Sequence, residues 1–244
     1  MINLLFNNKT IWFWIQISLL VYLSVSCSQT EPKNVEQRYD KAIQYIDRGL
    51  FGSAIPLLDD IINQNPGTRF AIYSYLKRGD ALMDSNSSKL DEAETNYRIF
   101  LSLSAHSHLV PYVLSRLIEL NYKKKQSSLF GKEYNYSRDP ERFKKVISEY
   151  QRFFLLYPNS LYLVDAKEYL NLSTEALAEH ELIIGDWYYK NGLFGSAIAR
   201  YSYVINHYPN FKDSEKIVNK LIEAYLKNQQ PQLASELKTL REKS

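Results

Sequence analysis

The heptapeptide Gly-Leu-Phe-Gly-Ser-Ala-Ile occurs twice in this chain, at residues 49–55 and again at 192–198. A proline follows the alanine of each copy at the same distance, Pro66 after Ala54 and Pro209 after Ala197. An internal repeat of this kind indicates one supersecondary unit used several times, because a single unit cannot bury its hydrophobic face alone. The repeat therefore predicts stacked helix–turn–helix units.

The spacing within the repeat resembles that of the tetratricopeptide repeat, a helix–turn–helix unit of about 34 residues. A small residue in the middle of such a unit lets two antiparallel helices approach closely, and the proline ends the second helix. Five residues occupy this small-residue position: Ala54, Ala93, Val146, Ala197 and Ala234. The predicted fold class is all-α, a tetratricopeptide-repeat solenoid of five helix–turn–helix units, with ten helices, in a right-handed superhelix.

Two of the intervals between these positions are longer than the others, which predicts departures from a plain array. One is an insertion loop at residues 126–139, between N-terminal repeats at 35–125 and C-terminal repeats at 140–244. The other is a long helix from about Leu161 to Lys190, where apolar residues recur at helical spacing. Pro56 is predicted to lie in the first turn of its helix, where a missing N–H is tolerated.

The first residues of the chain have the pattern of an export signal. Lys9 precedes an apolar run from Ile11 to Val25, which is shorter than the roughly 20 residues of a membrane span. Ser26-Cys27 then resembles the lipobox of bacterial lipoproteins. We therefore expect a signal peptide at residues 1–26, lipidation of Cys27 and a lipidated tether at 27–34. The alternative is an uncleaved anchor helix with an incidental cysteine, and either reading places the rest of the chain at a membrane.

The composition argues against most enzyme classes. The chain has 8 Gly and no glycine-rich phosphate-binding motif, and its single cysteine excludes a Cys-based zinc site. His106 and His108 lack nearby residues that would complete a metal site. A net charge of +3 gives no support for nucleic-acid binding. We expect no catalytic residues, no metal and no cofactor.

Several motifs in the second half of the chain resemble the BamD (YfiO) family of outer-membrane assembly lipoproteins. The segment Tyr-Pro-Asn-Ser-Leu-Tyr at 157–162, followed by Asp165-Ala166, is similar to a family block. Further similar segments are Ser137–Pro140, Glu181, Trp187–Tyr189, Ala197–Arg200 and Tyr208-Pro209. The resemblance extends from Val35 to Leu240.

The resemblance implies a non-enzymatic scaffold on the periplasmic face of the outer membrane, which Ser28 after the cysteine also favours. Family members bind the barrel insertase BamA through their C-terminal repeats, act with other assembly lipoproteins, and receive unfolded outer-membrane proteins on their N-terminal repeats. In the repeat register, Tyr39, Tyr75 and Arg78 face the client groove, and Arg200 is the candidate residue for the insertase interface.

Alternatives remain open for these residues and for the function. Tyr39 and Tyr75 could instead pack between repeats, since aromatic residues at helical spacing often belong to a core. Arg200 could be a solvated surface charge. The alternative function is a periplasmic tetratricopeptide lipoprotein that coordinates cell-wall synthesis or division.

Overall fold

The computed structural model describes residues 34–85, 89–124 and 140–242, and these residues form ten α-helices. Every helix packs antiparallel on the next, so the described residues form five helix pairs, as predicted. The all-α fold class is confirmed. The helices are α1 (Val35–Asp47), α2 (Phe51–Gln64), α3 (Arg69–Ser85), α4 (Leu90–Leu103), α5 (Val110–Lys123), α6 (Pro140–Leu156), α7 (Leu163–Lys190), α8 (Phe194–His207), α9 (Ser214–Lys227) and α10 (Pro231–Glu242).

The two copies of the heptapeptide form the same turn between a first and a second helix. Gly49 and Gly192 adopt left-handed φ values of +71° and +76°, which glycine reaches without a Cβ clash. The next amide in each copy bonds back across five residues, Leu50 N to Tyr45 O at 2.8 Å and Leu193 N to Tyr188 O at 2.9 Å. These bonds satisfy carbonyl groups at the end of the first helix and reverse the chain.

Pro56 does not lie in the first turn of its helix, so that prediction was wrong. Helix α2 begins at Phe51, directly after the N-cap residue Leu50, and Pro56 therefore lies in the second turn. The turn formed by the heptapeptide starts α2 at Phe51, which is earlier than a helix with Pro56 in its first turn would start. The helix continues through Pro56 because Ala54, Leu58 and Ile61 are fully buried against its neighbours.

The small-residue position of each unit lies in the core, as the register predicts. All five residues at this position are almost completely buried: Ala54, Ala93, Val146, Ala197 and Ala234. Around them, aromatic and aliphatic side chains from adjacent units form successive hydrophobic clusters. The core is therefore distributed along the array and not concentrated at one centre.

The long helix is confirmed with nearly the predicted bounds, since α7 has 28 residues and extends from Leu163 to Lys190. Its N-terminal part packs on α5 and α6 through Leu163 and Ala166, which share a cluster with Phe153. Its C-terminal part pairs with α8. One helix therefore belongs to the packing of both the third and the fourth unit.

An ion cluster joins the second and third units beside the sequence position of the insertion. Its centre is Glu94 on α4, whose side chain is only 14% exposed. Three cations contact it: Arg98 at 2.6 Å, Lys145 on α6 at 3.2 Å, and Lys124 just after α5. Burial opposes ionisation of this carboxyl, but the three hydrogen bonds outweigh burial and lower the pKa of Glu94 to about 2.

Candidate functional site

Aromatic side chains on the first helices of the N-terminal units form two contacting pairs. Tyr39 on α1 and Phe70 on α3 have ring centroids 5.7 Å apart. Tyr112 on α5 meets Tyr162, just before α7, edge to face at 5.5 Å. Half-buried aromatic rings with polar edges suit contact with an extended peptide, because they offer apolar area together with hydrogen-bonding groups.

A buried carboxylate, Asp80 on α3, organises this part of the molecule. Only 4% of the residue is exposed. Its Oδ1 accepts hydrogen bonds from the hydroxyl groups of Tyr97 on α4 and Tyr112 on α5, each at 2.9 Å, and Lys77 Nζ lies 3.2 Å from Oδ2. Burying a carboxylate is costly unless its lone pairs are satisfied, and here three donors satisfy them. Asp80 thereby connects three helices.

The negative charge of Asp80 also affects the pKa of nearby tyrosines. Burial and the negative charge of Asp80 raise the pKa of Tyr39 to about 12. The same two causes raise the pKa of Tyr112 above its usual range. A tyrosine hydroxyl is neutral at physiological pH even without this shift, so both side chains act there as neutral hydrogen-bonding groups.

Arg116 on α5 continues the network towards the next carboxylates. Its guanidinium lies 3.7 Å from Asp80 Oδ1, 2.7 Å from Asp84 Oδ1 and 2.8 Å from Glu119 Oε2. With three carboxylates around it and a side chain only 16% exposed, Arg116 acts as an internal link between α3 and α5. It is therefore poorly placed to bind an external anion.

The three predicted client-groove residues lie in different surroundings. Tyr39 belongs to the aromatic pair with Phe70. Tyr75 is half-buried and packs against the hydrophobic cluster of the second unit, which matches the packing alternative. Arg78 Nε donates to Asp59 Oδ1 on α2 at 2.5 Å, and Nη2 lies 3.8 Å from Glu92 on α4. The structure therefore does not bring Arg78 together with Tyr39, because Arg78 is turned towards the second helices.

Arg200, the predicted interface residue, lies on α8 and is paired within the chain. Its Nη1 donates to Glu181 Oε2 on α7 at 2.7 Å, and this bond raises the pKa of Arg200. The side chain nevertheless remains 41% exposed. Tyr203 lies one turn further along α8 and stacks on His207 with centroids 3.9 Å apart. The surroundings of Arg200 are thus partly aromatic and accessible.

Sequence reasoning missed the Asp80 network and its counterpart in the second half of the chain. There Asp186 accepts a hydrogen bond from the Tyr201 hydroxyl at 2.8 Å, and Lys220 on α9 lies 2.6 Å from the same carboxylate. A signal was present, because Gly-Asp occurs at 79–80 and 185–186 and each copy precedes an Ala-x-x-x-Tyr segment. The shared pattern identifies a second internal repeat besides the heptapeptide.

Two further observations concern the sites predicted elsewhere in the chain. Cys27 lies outside the residues that the structure describes, so its lipidation remains a prediction. Among residues 34–85, 89–124 and 140–242, no cluster of His, Cys, Asp and Glu is arranged to hold a metal ion. Within the same ranges, no helix combines the length and apolar character that crossing a membrane requires.

Comparison with known proteins places the chain in a family. The family model described as YfiO, outer membrane lipoprotein, matches residues 31–240. An outer membrane protein assembly factor BamD from Caulobacter vibrioides is 26% identical over 80% of this chain and 61% of its own length. The BamD of Neisseria gonorrhoeae is 24% identical over 87% of this chain and 80% of its own length.

A third relative covers a shorter part of the chain. The BamD of Vibrio cholerae is 31% identical over 88 residues, which make up 36% of each chain. The family resemblance predicted from the motifs is confirmed by these matches. The chain belongs to the YfiO, or BamD, family of outer membrane lipoproteins.

Proposed function

We propose that this chain is a lipid-anchored scaffold of the machinery that assembles β-barrel proteins in the outer membrane. The observation that carries the proposal is the family match over residues 31–240, together with relatives named as outer membrane protein assembly factors. In this proposal Cys27 carries the lipid, residues 27–34 form the tether, and the helix pairs lie on the periplasmic side. The chain contributes binding surfaces and no chemical step.

The N-terminal repeats are proposed to bind the end of an unfolded barrel protein. Tyr39 and Phe70, whose surroundings differ from those of Arg78, offer aromatic contact to an apolar client residue upstream of its C-terminus. The planar fork of Arg78 fits a terminal carboxylate, since it can donate two charge-assisted hydrogen bonds. In the unliganded chain Asp59 occupies this fork, and Asp59 is itself 40% exposed. A client carboxylate therefore reaches Arg78 by displacing Asp59.

This displacement predicts opposite effects for two substitutions. Arg78→Ala should weaken binding of a short synthetic peptide ending in Phe by about tenfold, because a charge-assisted hydrogen bond is lost. Asp59→Asn should strengthen binding, because the competing carboxylate is removed while the side chain keeps its shape. Fluorescence titration of the labelled peptide measures both affinities.

Two controls make this titration specific. The same peptide with an amidated C-terminus should bind the parent chain and Arg78→Ala equally, since it lacks the carboxylate. Arg152→Ala, at an exposed position on α6, should leave the affinity unchanged. Unchanged affinity in Arg78→Ala, with the fold intact by circular dichroism, would remove Arg78 from the client site.

The C-terminal repeats are proposed to bind the insertase, a BamA-like barrel protein, alongside other assembly lipoproteins. Arg200 supports this assignment because it stays accessible despite its pairing with Glu181. Arginine beside aromatic side chains is the composition that protein interfaces favour at their energetic centres. Trp187, near the end of α7, adds a large exposed aromatic group in the same unit.

Depletion of the protein, followed by outer-membrane proteomics, tests the function as a whole. Loss of many β-barrel proteins from the outer membrane is the expected result, because a shared assembly factor serves many clients. Intact barrels together with altered cell shape would contradict the proposal and favour a role in cell-wall synthesis or division.

A further inference from the structure

A charge-free apolar patch projects from the junction of the third and fourth units. No residue from Phe153 to Val164 carries a charge, and these residues form the end of α6, the connecting turn and the start of α7. The exposed apolar side chains here are Phe154, Leu155, Leu156, Leu161 and Val164, which we call the junction patch. Leu155 is 81% exposed and Leu161 is 87% exposed. Such a group of neighbouring exposed apolar side chains marks an interaction surface.

A shallow cleft lies beside the patch and shares Leu161 with it. The cleft has a volume of about 470 Å³ and is lined by Pro111 and residues 157–162. Tyr162 lies at its rim and contacts Tyr112 of the preceding first helix. Exposed aliphatic side chains next to tyrosines are typical of protein surfaces at the membrane–water boundary, where Tyr prefers the headgroup level.

The connectivity places this patch on a defined edge of the molecule. In an array of antiparallel pairs, all first helices begin at the edge where all second helices end, which we call the N-edge. Contacts along the first units follow this edge: Arg38 of α1 donates to Gln64 of α2 at 2.6 Å, and Arg69 of α3 lies 3.8 Å from Glu36 of α1. The junction patch occupies the N-edge of the third unit, because it lies at the end of α6 and the start of α7.

The same edge is the one at which the described chain begins. Helix α1 starts at Val35 with Asn34 as its N-cap, so residues preceding Asn34 join the molecule at the N-edge. Six residues lie between Cys27 and Asn34, and the seven residue-to-residue steps span at most about 25 Å. A lipid on Cys27 therefore keeps the start of α1, at the N-edge of the first unit, within about 25 Å of the bilayer surface. The glycine turns at Gly49 and Gly192 lie on the opposite edge, away from this attachment point.

We infer that the junction patch is a second membrane contact of this chain, which inserts its leucines into the lipid headgroup region. The inference rests on the membrane attachment at Cys27, which is part of the proposed function. The high exposure of Leu155 and Leu161 suits a lipid surface, which adapts to the shape of inserted side chains, whereas a protein partner needs a matching pocket. A flexible lipid anchor leaves the orientation of the helix pairs free, so a second apolar contact strengthens the attachment and fixes that orientation.

Lipid-quenching fluorescence on the full chain tests this contact. The lipidated chain is reconstituted in vesicles of phosphatidylethanolamine and phosphatidylglycerol, with or without a spin-labelled phospholipid. A cysteine at Leu155→Cys or Leu161→Cys carries an environment-sensitive fluorophore, and the parent chain without an added cysteine controls for labelling of Cys27. Spin-labelled lipid should remove about half of the fluorescence at these two positions, since side chains in an interfacial contact reach about 5–10 Å into the bilayer surface.

Matched controls come from leucines of the opposite edge. Leu50 and Leu193 are each 48% exposed in the heptapeptide turns, so Leu50→Cys and Leu193→Cys report on an apolar but remote site. Neither should be quenched. In a second set, the double substitution Leu155→Ser with Leu161→Ser should abolish quenching of a label at Val164→Cys.

The outcomes separate this inference from the function on which it rests. Protein that floats with the vesicles but shows no quenching at positions 155 and 161 overturns the membrane contact alone. Protein that does not float contradicts both the lipid attachment and the contact. A photo-cross-linker at Leu161 that captures a protein in native membranes identifies a protein interface and also overturns the inference.

Discussion

Two acidic residues, Asp80 and Asp186, hold equivalent positions in units that are far apart in sequence. Each follows a glycine on a first helix, accepts a hydrogen bond from a tyrosine of the paired second helix, and meets a cation from the next first helix. The arrangement connects three helices through one carboxylate. A unit is thereby joined to its successor by polar contacts as well as by apolar packing.

The glycine of each pair has a packing role that leads to a stability prediction. A Cβ at Gly79 would lie 2.7 Å from Cε1 of Tyr97, a side chain that is fully buried and cannot move aside. Gly79→Ala should therefore lower the free energy of unfolding by about 1–3 kcal/mol, although alanine is the better helix former. Gly185→Ala should behave alike, because its Cβ would lie 2.7 Å from Tyr201.

The control for this prediction is another glycine that lies in a helix. A Cβ at Gly52, in the first turn of α2, would meet nothing within 4 Å, so Gly52→Ala should be neutral or stabilising. Urea unfolding followed by circular dichroism measures all three variants. Equal stability of Gly79→Ala and Gly52→Ala would show that Tyr97 yields to the added methyl group.

The helix pairs could be predicted from repeated sequence patterns, but the side-chain contacts between different helices could not. The heptapeptide and the small-residue positions predicted the helix pairs because each feature lies within one unit. The Asp80 network involves Tyr97, Tyr112 and Arg116, whose meeting depends on the stacking of three helices. Arg78 shows the same limit: the register predicted a groove position, but Asp59 and Glu92 of neighbouring second helices hold its guanidinium.

At the scale of the element, the junction between the second and third units combines an apolar cluster with an ion cluster. Helices α4 and α5 have less mutual contact than the helices of the other consecutive pairs in the described residues. Glu94 and its three cations supply a connection at this place, reaching from α4 to α6. A junction of this kind is sensitive to the protonation of one residue.

The lowered pKa of Glu94 predicts a pH dependence of stability. Its pKa is about 2 in the folded chain and 4.5 in the reference state, so its contribution is complete above about pH 4.5 and is lost as the pH falls towards 2. Glu94→Gln should lower the free energy of unfolding by roughly 2 kcal/mol at pH 6. At pH 3 the difference between parent and variant should be clearly smaller.

Urea unfolding at several pH values measures this difference directly. Glu168→Gln, at an exposed position on α7, is the matched control and should lie close to the parent at every pH. A gap between Glu94→Gln and the parent that stays constant from pH 6 to pH 3 would show that the carboxylate's charge is not what stabilises the junction.

At the scale of the whole molecule, the proposed client and insertase surfaces lie in different units. Tyr39 and Phe70 belong to the first two units, whereas Arg200 belongs to the fourth. An array without one central core can change one surface while the other keeps its structure. The two proposed binding functions should therefore be separable by mutation.

A charge swap at Arg200 tests the insertase surface independently of the fold. Arg200→Glu should abolish co-purification of the barrel protein, but it also places two carboxylates side by side. The double variant Arg200→Glu with Glu181→Arg restores the ion pair with its direction reversed, and it should also fail to bind if Arg200 contacts the partner. Recovery of the partner by the double variant would show that Arg200 serves only the internal pair. Peptide binding at the N-terminal repeats should be normal in both variants.

Helix α7 gives the array a mechanical property that separate short helices would not. Its 28 residues make a rod about 42 Å long, with no proline along it, that is shared by the third and fourth units. Bending such a helix disrupts backbone hydrogen bonds. A tilt of the helix axis at Lys190 should therefore also move the Leu163 end. A tilt of about 10° moves the far end by about 7 Å, which exceeds the rise of one helical turn. We therefore expect a displacement of the fourth unit to move the third unit as well, since α7 has no proline at which it would bend.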